Sequence, residues 1–494
     1  MRAPPTHIPE DIQELRDGYK ELAQDYATVY QELLTLRRLA FGQRKESLTL
    51  VSDLQTRMDA VLGTEAEVEA PTLTIAEHRR KASRKSTPAE SITILHDIAD
   101  ADKECACGLE MEQVGESHKV IREFIPATCR NEDHVYPRYA CKVCQNEPLV
   151  SHESASPFEA EGVGAGLAAQ IIICKHDDHL PWNRQEKILE RQGIILSKSN
   201  MVSISTHAHD LVKGIVEPIR VEVLESGLVG MDETTVSVLD DTLKGESHRG
   251  YFWTMGSKDA VIYRFDPGRS GKNIDALLGE NYTGYLVADG FTAYDPKSKP
   301  RSYTLIHCWA HMRRKFFELK KDNPLAQEAV NKIALIYHLE SEARRSPNPL
   351  ETLAEVRRTK VGPLVDEFWT WLQARSEFVL PSSNLGKAIH YALERKSTLV
   401  KFLNDPRIPM DNNQSERDLR HVVIGRKNWN FAGSYAGAER MATFFTLIQS
   451  CKRVKLNPWT YLTHVFSVIE DYSSHRLHEL TPARVKALLQ INTP

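Results

Sequence analysis

Five short runs rich in β-branched and aromatic residues, crowded between positions 228 and 308, constrain this chain more than any other stretch. LVGMDETTVSVL (228–239), GYFWTMG (250–256), AVIYRF (260–265), GYLVADG (284–290) and YTLIHC (303–308) each read as a strand. A short helix over roughly 273–279 separates the third run from the fourth, and 309–321 returns to helix. Packing does not explain two acids here. Asp232 falls inside the first strand and Asp289 ends the fourth. A carboxylate buried in a sheet must be paired or must bind a cation. Other acids have simpler places. Glu233 points to the opposite face from Asp232 in a regular strand. Asp240 and Asp241 suit a turn, Asp411 suits a helix N-cap, and Asp266 is a further competitor.

A third acid comes with DNNQSERDLRHVVIGRKNWNFAG (411–433). Glu416 sits in the first turns of an expected helix, followed by Arg417, Arg420, Arg426, Lys427 and Trp429. An acid among cations beside an exposed aromatic suits metal-assisted chemistry on a phosphodiester: the acid holds Mg²⁺, the cations hold phosphates and the ring stacks on a base. The plain alternative is a solvated helix laced with ion pairs, and for Trp429 it is packing against Phe431. Three hairpin-like strands, a short helix, a fourth strand and a later acid-bearing helix match a ribonuclease-H-like layout. In that layout Asp232, Asp289 and Glu416 would hold two Mg²⁺ about 3.5–4 Å apart.

The rest of the chain divides around this core. Apolar positions from Ile12 through Leu15, Tyr19, Leu22, Tyr26, Val29, Leu33 and Leu36 to Ala40 alternate three and four apart, a coiled-coil seam within residues 8–62. Residues 63–100 read as a polar linker. Five of the eight cysteines lie between 105 and 144, which in a reducing compartment favours metal over disulfides. Residues 101–150 are therefore expected to hold a structural Zn²⁺ through Cys141 and Cys144, with Cys105 and Cys107 as the other pair. The spacing Cys105-Ala-Cys107 is one residue short of the usual knuckle, so Cys129 and His134 are spare candidates. Over 160–222, Pro181 suits a first helical turn, Gly193 a C′ stop and Ser197 the N-cap of a third helix, a helix-turn-helix rhythm that would bind DNA. Generic three-helix packing fits the same spacing.

The core is expected to occupy 226–321 and 406–450. Residues 322–405 form a helical insertion broken at Pro363 and Pro381, and 451–494 a helical C-terminal region in which Asn457 and Thr481 cap helices that open on proline. The fold class is thus multidomain α+β. A formal net charge of −4 argues against a uniformly basic nucleic-acid binder, yet 78–85, 313–321 and 452–455 are locally basic, so a polyanion partner is expected. Arg313 and Arg314 belong to the second patch. No apolar run approaches the roughly 20 residues of a membrane span, and MRAPPTHIPEDIQ has no secretory h-region, so a cytoplasmic protein is expected.

These segments carry a resemblance. LRRLAFGQRKES (36–47), YACKVC (139–144), KHDDHLPWNRQEKILERQGI (175–194), MDETTVSVL (231–239), LVADGFTAY (286–294), HCWAHMRRKF (307–316) and DNNQSERDLRHVVIGRKNWNFAGS (411–434) resemble the large transposase of the insertion-sequence-66 family along nearly the whole chain. The resemblance implies an acidic-triad enzyme with a leucine-zipper-like N-terminus, a zinc-binding domain and a ribonuclease-H-like core split by an insertion. By motif, Asp232, Asp289 and Glu416 take the triad's places. It further implies Mg²⁺, with Mn²⁺ able to substitute, DNA at element ends and target, a homo-oligomer, small accessory proteins of the same element, and a bacterial, nucleoid-associated location. Cys308 and His311 resemble a Cys-x-x-His signature found after the second acid in insertion-bearing transposases. A buried thiol with a helix-capping histidine is the alternative. The function expected is two-metal DNA cleavage and strand transfer. Against it stand a structure-selective nuclease on the same fold and a DNA-binding repressor with an inactive core.

Overall fold

The computed structural model describes residues 132–135, 138–139, 149–150, 156–239, 247–296 and 300–491. The coiled-coil seam, the 63–100 linker and Cys105, Cys107, Cys129, Cys141 and Cys144 lie outside the described residues. Near them, β1 (Arg138–Tyr139) pairs antiparallel with β2 (Leu149–Val150). His134 is half exposed, with Nε2 3.5 Å from Glu132 Oε2.

Four helices come next: α1 (Ala165–His176), α2 (Trp182–Arg191), α3 (Lys198–Val212) and α4 (Val216–Glu225). The punctuation signals work as local chemistry requires. Gly193 follows α2 at φ 83°, a conformation that glycine adopts without a Cβ penalty. The Ser197 hydroxyl accepts the Asn200 N–H at 3.2 Å and starts α3. Pro181 stands one residue earlier than expected, at the N-cap of α2 rather than inside its first turn.

All five expected runs are strands: β3 (Leu228–Leu239), β4 (Ser247–Gly256), β5 (Val261–Asp266), β6 (Tyr285–Ala288) and β7 (Thr304–His307). Helix α5 (Lys272–Leu278) lies between β5 and β6, and α6 (Trp309–Phe317) follows β7. The sheet order is β5-β4-β3-β6-β7. The first three strands are antiparallel, and β3, β6 and β7 are mutually parallel. This mixed sheet with its flanking helices is compatible with a ribonuclease-H-like core.

The insertion runs α7 (Pro324–Ala343), α8 (Pro349–Val356), α9 (Gly362–Ser376), α10 (Asn384–Glu394) and α11 (Lys396–Leu399). Pro381 lies in a break, as expected. Pro363 does not. A π-turn at Arg357–Val361 joins α8 to α9, with the Gly362 N–H donating to Arg357 O. The wider turn absorbs the donor and the space that a proline denies an α-helix, so the helical path continues.

The chain then returns as α12 (Asn413–Trp429), a short strand β8 (Phe431–Ala432) beside β3, and α13 (Tyr435–Arg453), α14 (Pro458–Val468) and α15 (Pro482–Ile491). The Asn457 side chain accepts the Trp459 and Thr460 N–H groups at 2.8 and 3.3 Å, a capped start with proline at N1. Thr481 is used differently, its hydroxyl donating to Glu222 at 2.7 Å.

Three apolar clusters hold these pieces. Val229 and Met231 join Trp253 in a cluster that takes in Ile172, Ile204, Leu447 and Tyr461, so helices before and after the sheet share one core with it. Val236 and Val238, of opposite parity, pack instead with Phe252, Val422 and Phe445. The insertion builds its own core around Trp309, Phe368 and Trp369, and reaches the sheet at Val287 and Ile306. Among the described residues no helix is long and apolar enough to cross a membrane.

Candidate active site

Strand register brings the first two acids together. Leu228, Val229 and Gly230 of β3 lie opposite Tyr285, Leu286 and Val287 of β6. Two residues further along, the same register sets Asp232 beside Asp289, just past the end of β6. The third acid arrives on α12. A Cβ at Gly230 would lie 2.6 Å from Ser415 Oγ and 2.8 Å from Asn412 Oδ1, so glycine lets the start of α12 settle on the strand. Asn412 Nδ2 donates to the Met231 carbonyl at 2.7 Å, and the Ser415 hydroxyl donates to Asn412 Oδ1 at 2.7 Å. Residues 230 and 232 share a strand face, so Asp232 looks toward the turn that carries Glu416.

The acids sense one another. Burial, with repulsion from Glu233, Asp289 and Glu416, pushes the Asp232 carboxyl up to about 8, although it accepts the Glu233 N–H at 2.9 Å. Asp289 accepts the Phe291 N–H at 2.8 Å. Glu416 Oε1 lies 3.6 Å from Arg314 Nη2 and 3.8 Å from His311 Nε2, and is buried without a hydrogen-bond partner. Glu233 has a different setting, as its strand parity requires. Arg269 Nε donates to it at 2.8 Å and the Tyr294 hydroxyl at 2.7 Å, and these bonds oppose the upward push of burial on its carboxyl.

An open cleft of about 410 Å³ adjoins Asp289, bordered by Arg269, His311, Arg314, Lys315 and Tyr391. Among the described residues no three His, Cys, Asp or Glu side chains close around one point as a finished metal site. The donor set nevertheless suits a hard divalent cation: three neighbouring carboxylates, one oxygen of which has no hydrogen-bond partner.

A profile of the Transposase IS66 family matches residues 162–440, and one of the IS66 C-terminal element matches residues 446–483. The chain belongs to the IS66 transposase family. Relatives of this IS66 chain include Uncharacterized protein y4hP of Sinorhizobium fredii, 29% identical over 90% of this chain and 86% of that one. Another is Uncharacterized protein y4jD of the same organism, 28% identical over 97% of each chain. No solved structure matches this chain. The span matched by the IS66 profile contains Asp232, Asp289, Glu416 and the whole helical insertion.

The other residues singled out in the sequence separate into groups. Arg420 and Lys427 are exposed on α12, as is Arg417, whose Nη2 donates to Gln414 at 2.7 Å. Arg426 is not an open phosphate contact. Its guanidinium donates to the Thr235 carbonyl and lies 3.3 Å from Thr234 Oγ1, latching α12 to β3. Trp429 is not the exposed ring that its neighbours suggest. It is only 8% exposed and belongs to the cluster with Val422 and Phe445, whereas Phe431 is 44% exposed and lies outside that cluster. Arg313 lies over the Phe317 ring at 4.9 Å. In the 452–455 patch, Lys452 pairs with Asp177 and Arg453 with Asp418. Cys308 is buried, and its Sγ accepts the Asn412 N–H at 3.1 Å while burial pushes the thiol up to about 12. It supports the start of α12 as a neutral thiol, and His311, one helical turn on, faces Glu416 rather than capping a helix.

Sequence reasoning misses Arg269, Lys315 and Tyr391 at the cleft. Lys315 lies within the basic run 313–321, one helical turn from His311, and i,i+4 spacing could have placed it on the same face. Arg269 and Tyr391 carry no local signal.

Proposed function

We propose that this chain is a DNA transposase whose Asp232, Asp289 and Glu416 hold two Mg²⁺ ions, with Mn²⁺ able to substitute, and that it cuts element ends and joins them to target DNA. The observation that carries this reading is the strand register that sets Asp232 beside Asp289, with Glu416 brought to the same strand face by the Asn412 bond to Met231; burial and the neighbouring acids push the Asp232 carboxyl up to about 8. Carboxylates held in such mutual repulsion fit a divalent cation better than they fit packing. When bound, the ions supply an activated attacking oxygen and a stabilised leaving oxygen. The protein's own groups do the placing. The Asn412 bond to Met231 fixes the start of α12 against β3, His311 and Arg314 stand 3.8 and 3.6 Å from the Glu416 carboxylate, and the cations of the cleft hold phosphate.

The same reading assigns DNA contact to α3, which exposes Lys198, Ser199, Asn200, Val202 and Ser203 along its first turns. It assigns self-association to the 12–40 seam, as suits an enzyme that must hold two DNA ends together. It assigns zinc to Cys141 and Cys144 with Cys105 and Cys107.

The test is cleavage and joining of end DNA with Mg²⁺. Asp232→Asn, Asp289→Asn and Glu416→Gln should each abolish both steps while end binding stays near wild type, because each removes a ligand and no phosphate contact. A variant that keeps a tenth of wild-type activity would remove its residue from the triad. Cleavage without any joined product would make the protein a nuclease.

A further inference from the structure

Tyr391 comes from the helical insertion yet stands in the cleft beside Asp289. Its hydroxyl approaches so closely that a Cβ on Gly290 would lie 2.5 Å from it. The Lys315 ammonium lies over the Tyr391 ring, 4.5 Å from its centroid, and the Arg395 guanidinium lies 4.2 Å from the same centroid. Across the cleft the Arg269 guanidinium rests on the Phe291 ring at 4.1 Å. Among the described residues Lys315 makes no ion pair, neither it nor the Tyr391 hydroxyl has a hydrogen-bond partner, and both residues line the cleft.

We infer that Lys315 and Tyr391 form a phosphate-binding pair for the DNA strand that enters this cleft, with the insertion lending the core the tyrosine hydroxyl. The inference rests on the transposase reading and adds the residues that seat the backbone. The chemistry is that of a phosphodiester. Lys315 offers a mobile point charge and Tyr391 a neutral donor, both set within one cleft and held by a cation–π contact. The rings of Phe291 and Tyr391 already carry cations, so the cleft grips backbone rather than stacking bases.

The experiment uses the full chain, a duplex spanning the junction of its own element end and flanking DNA, and three variants. Lys315→Gln should lower the salt slope of binding by about one unit, as expected when the protein neutralises one phosphate fewer. Tyr391→Phe preserves the ring under Lys315 and removes only the hydroxyl. It should slow cleavage by about tenfold at unchanged melting temperature. Asp232→Asn is the control for the reading beneath. With Asp232→Asn inactive, a wild-type salt slope for Lys315→Gln together with a wild-type rate for Tyr391→Phe overturns the inference alone. An active Asp232→Asn overturns the reading of the site and this inference with it.

Discussion

At Asp232 the fold keeps an acid where its ionised form is disfavoured. The carboxyl is pushed up to about 8, chiefly by burial and then by Glu233, while an unfolded chain would ionise it near pH 4. A folded state that binds the proton more tightly than the unfolded state loses stability as pH rises through the unfolded value, and the loss is complete above the folded one. In protein stripped of divalent ions, Asp232→Asn should therefore melt several degrees above wild type at pH 8, and the gap should close near pH 4. Equal melting temperatures at both pH values would mean that the acid is solvated. Asp232 and Asp289 stand out in the sequence because a carboxylate in an apolar strand adds nothing to packing and costs desolvation unless it serves a cation. Arg269 and Tyr391 do not stand out, because each gains its place through contacts made across the fold. Tyr391 stands in the cleft with Asp289, from which the whole of α6 to α9 separates it in sequence.

Helix α12 performs two tasks on one element, and its far end explains why Trp429 misleads. Its first turn presents Glu416, while further along Val422 and Trp429 pack into the cluster that holds Val236 and Val238 of β3, and Arg426 ties to Thr235. A Cβ at Gly425 would lie 2.7 Å from Trp429 Nε1, so the absent side chain one turn earlier makes room for the indole. Sequence shows the cations around Trp429 but not the hollow that takes it. The helical insertion holds a similar case at Pro363, since a π-turn leaves no mark in residue type. Trp429→Ala should cost about 3–5 kcal/mol of stability, read as a lower melting temperature or denaturant midpoint. Base stacking would instead predict an unchanged melt with slow end processing. A variant with wild-type stability and wild-type rate would exclude both roles.

On the scale of the whole molecule, the segment boundaries drawn from sequence do not coincide with separate cores. Helix α13 crosses position 450, and α14 packs against α1, with Trp459 Nε1 donating to the Gly166 carbonyl at 3.1 Å. Tyr461, Leu462, Val465 and Phe466 are buried in the same cluster as Ile172, Met231 and Trp253. Composition and periodicity mark helical stretches but cannot say which helices pack together, because amphipathic faces of this size pair with many partners. The IS66 C-terminal element, although recognisable on its own, is thus part of the wall behind the sheet. Four such side chains contribute roughly 1.5–3 kcal/mol each. Their sum is comparable with the roughly 5–15 kcal/mol that separates a folded domain from its unfolded chain. A chain truncated after Leu456 should therefore lose its cooperative melting transition and expose the apolar faces of α1 and α13 to a hydrophobic dye. If the truncated protein instead melts as sharply as the full chain and keeps end-DNA cleavage, α14 and α15 form an independent appendage, and the shared core gives the central sheet no support.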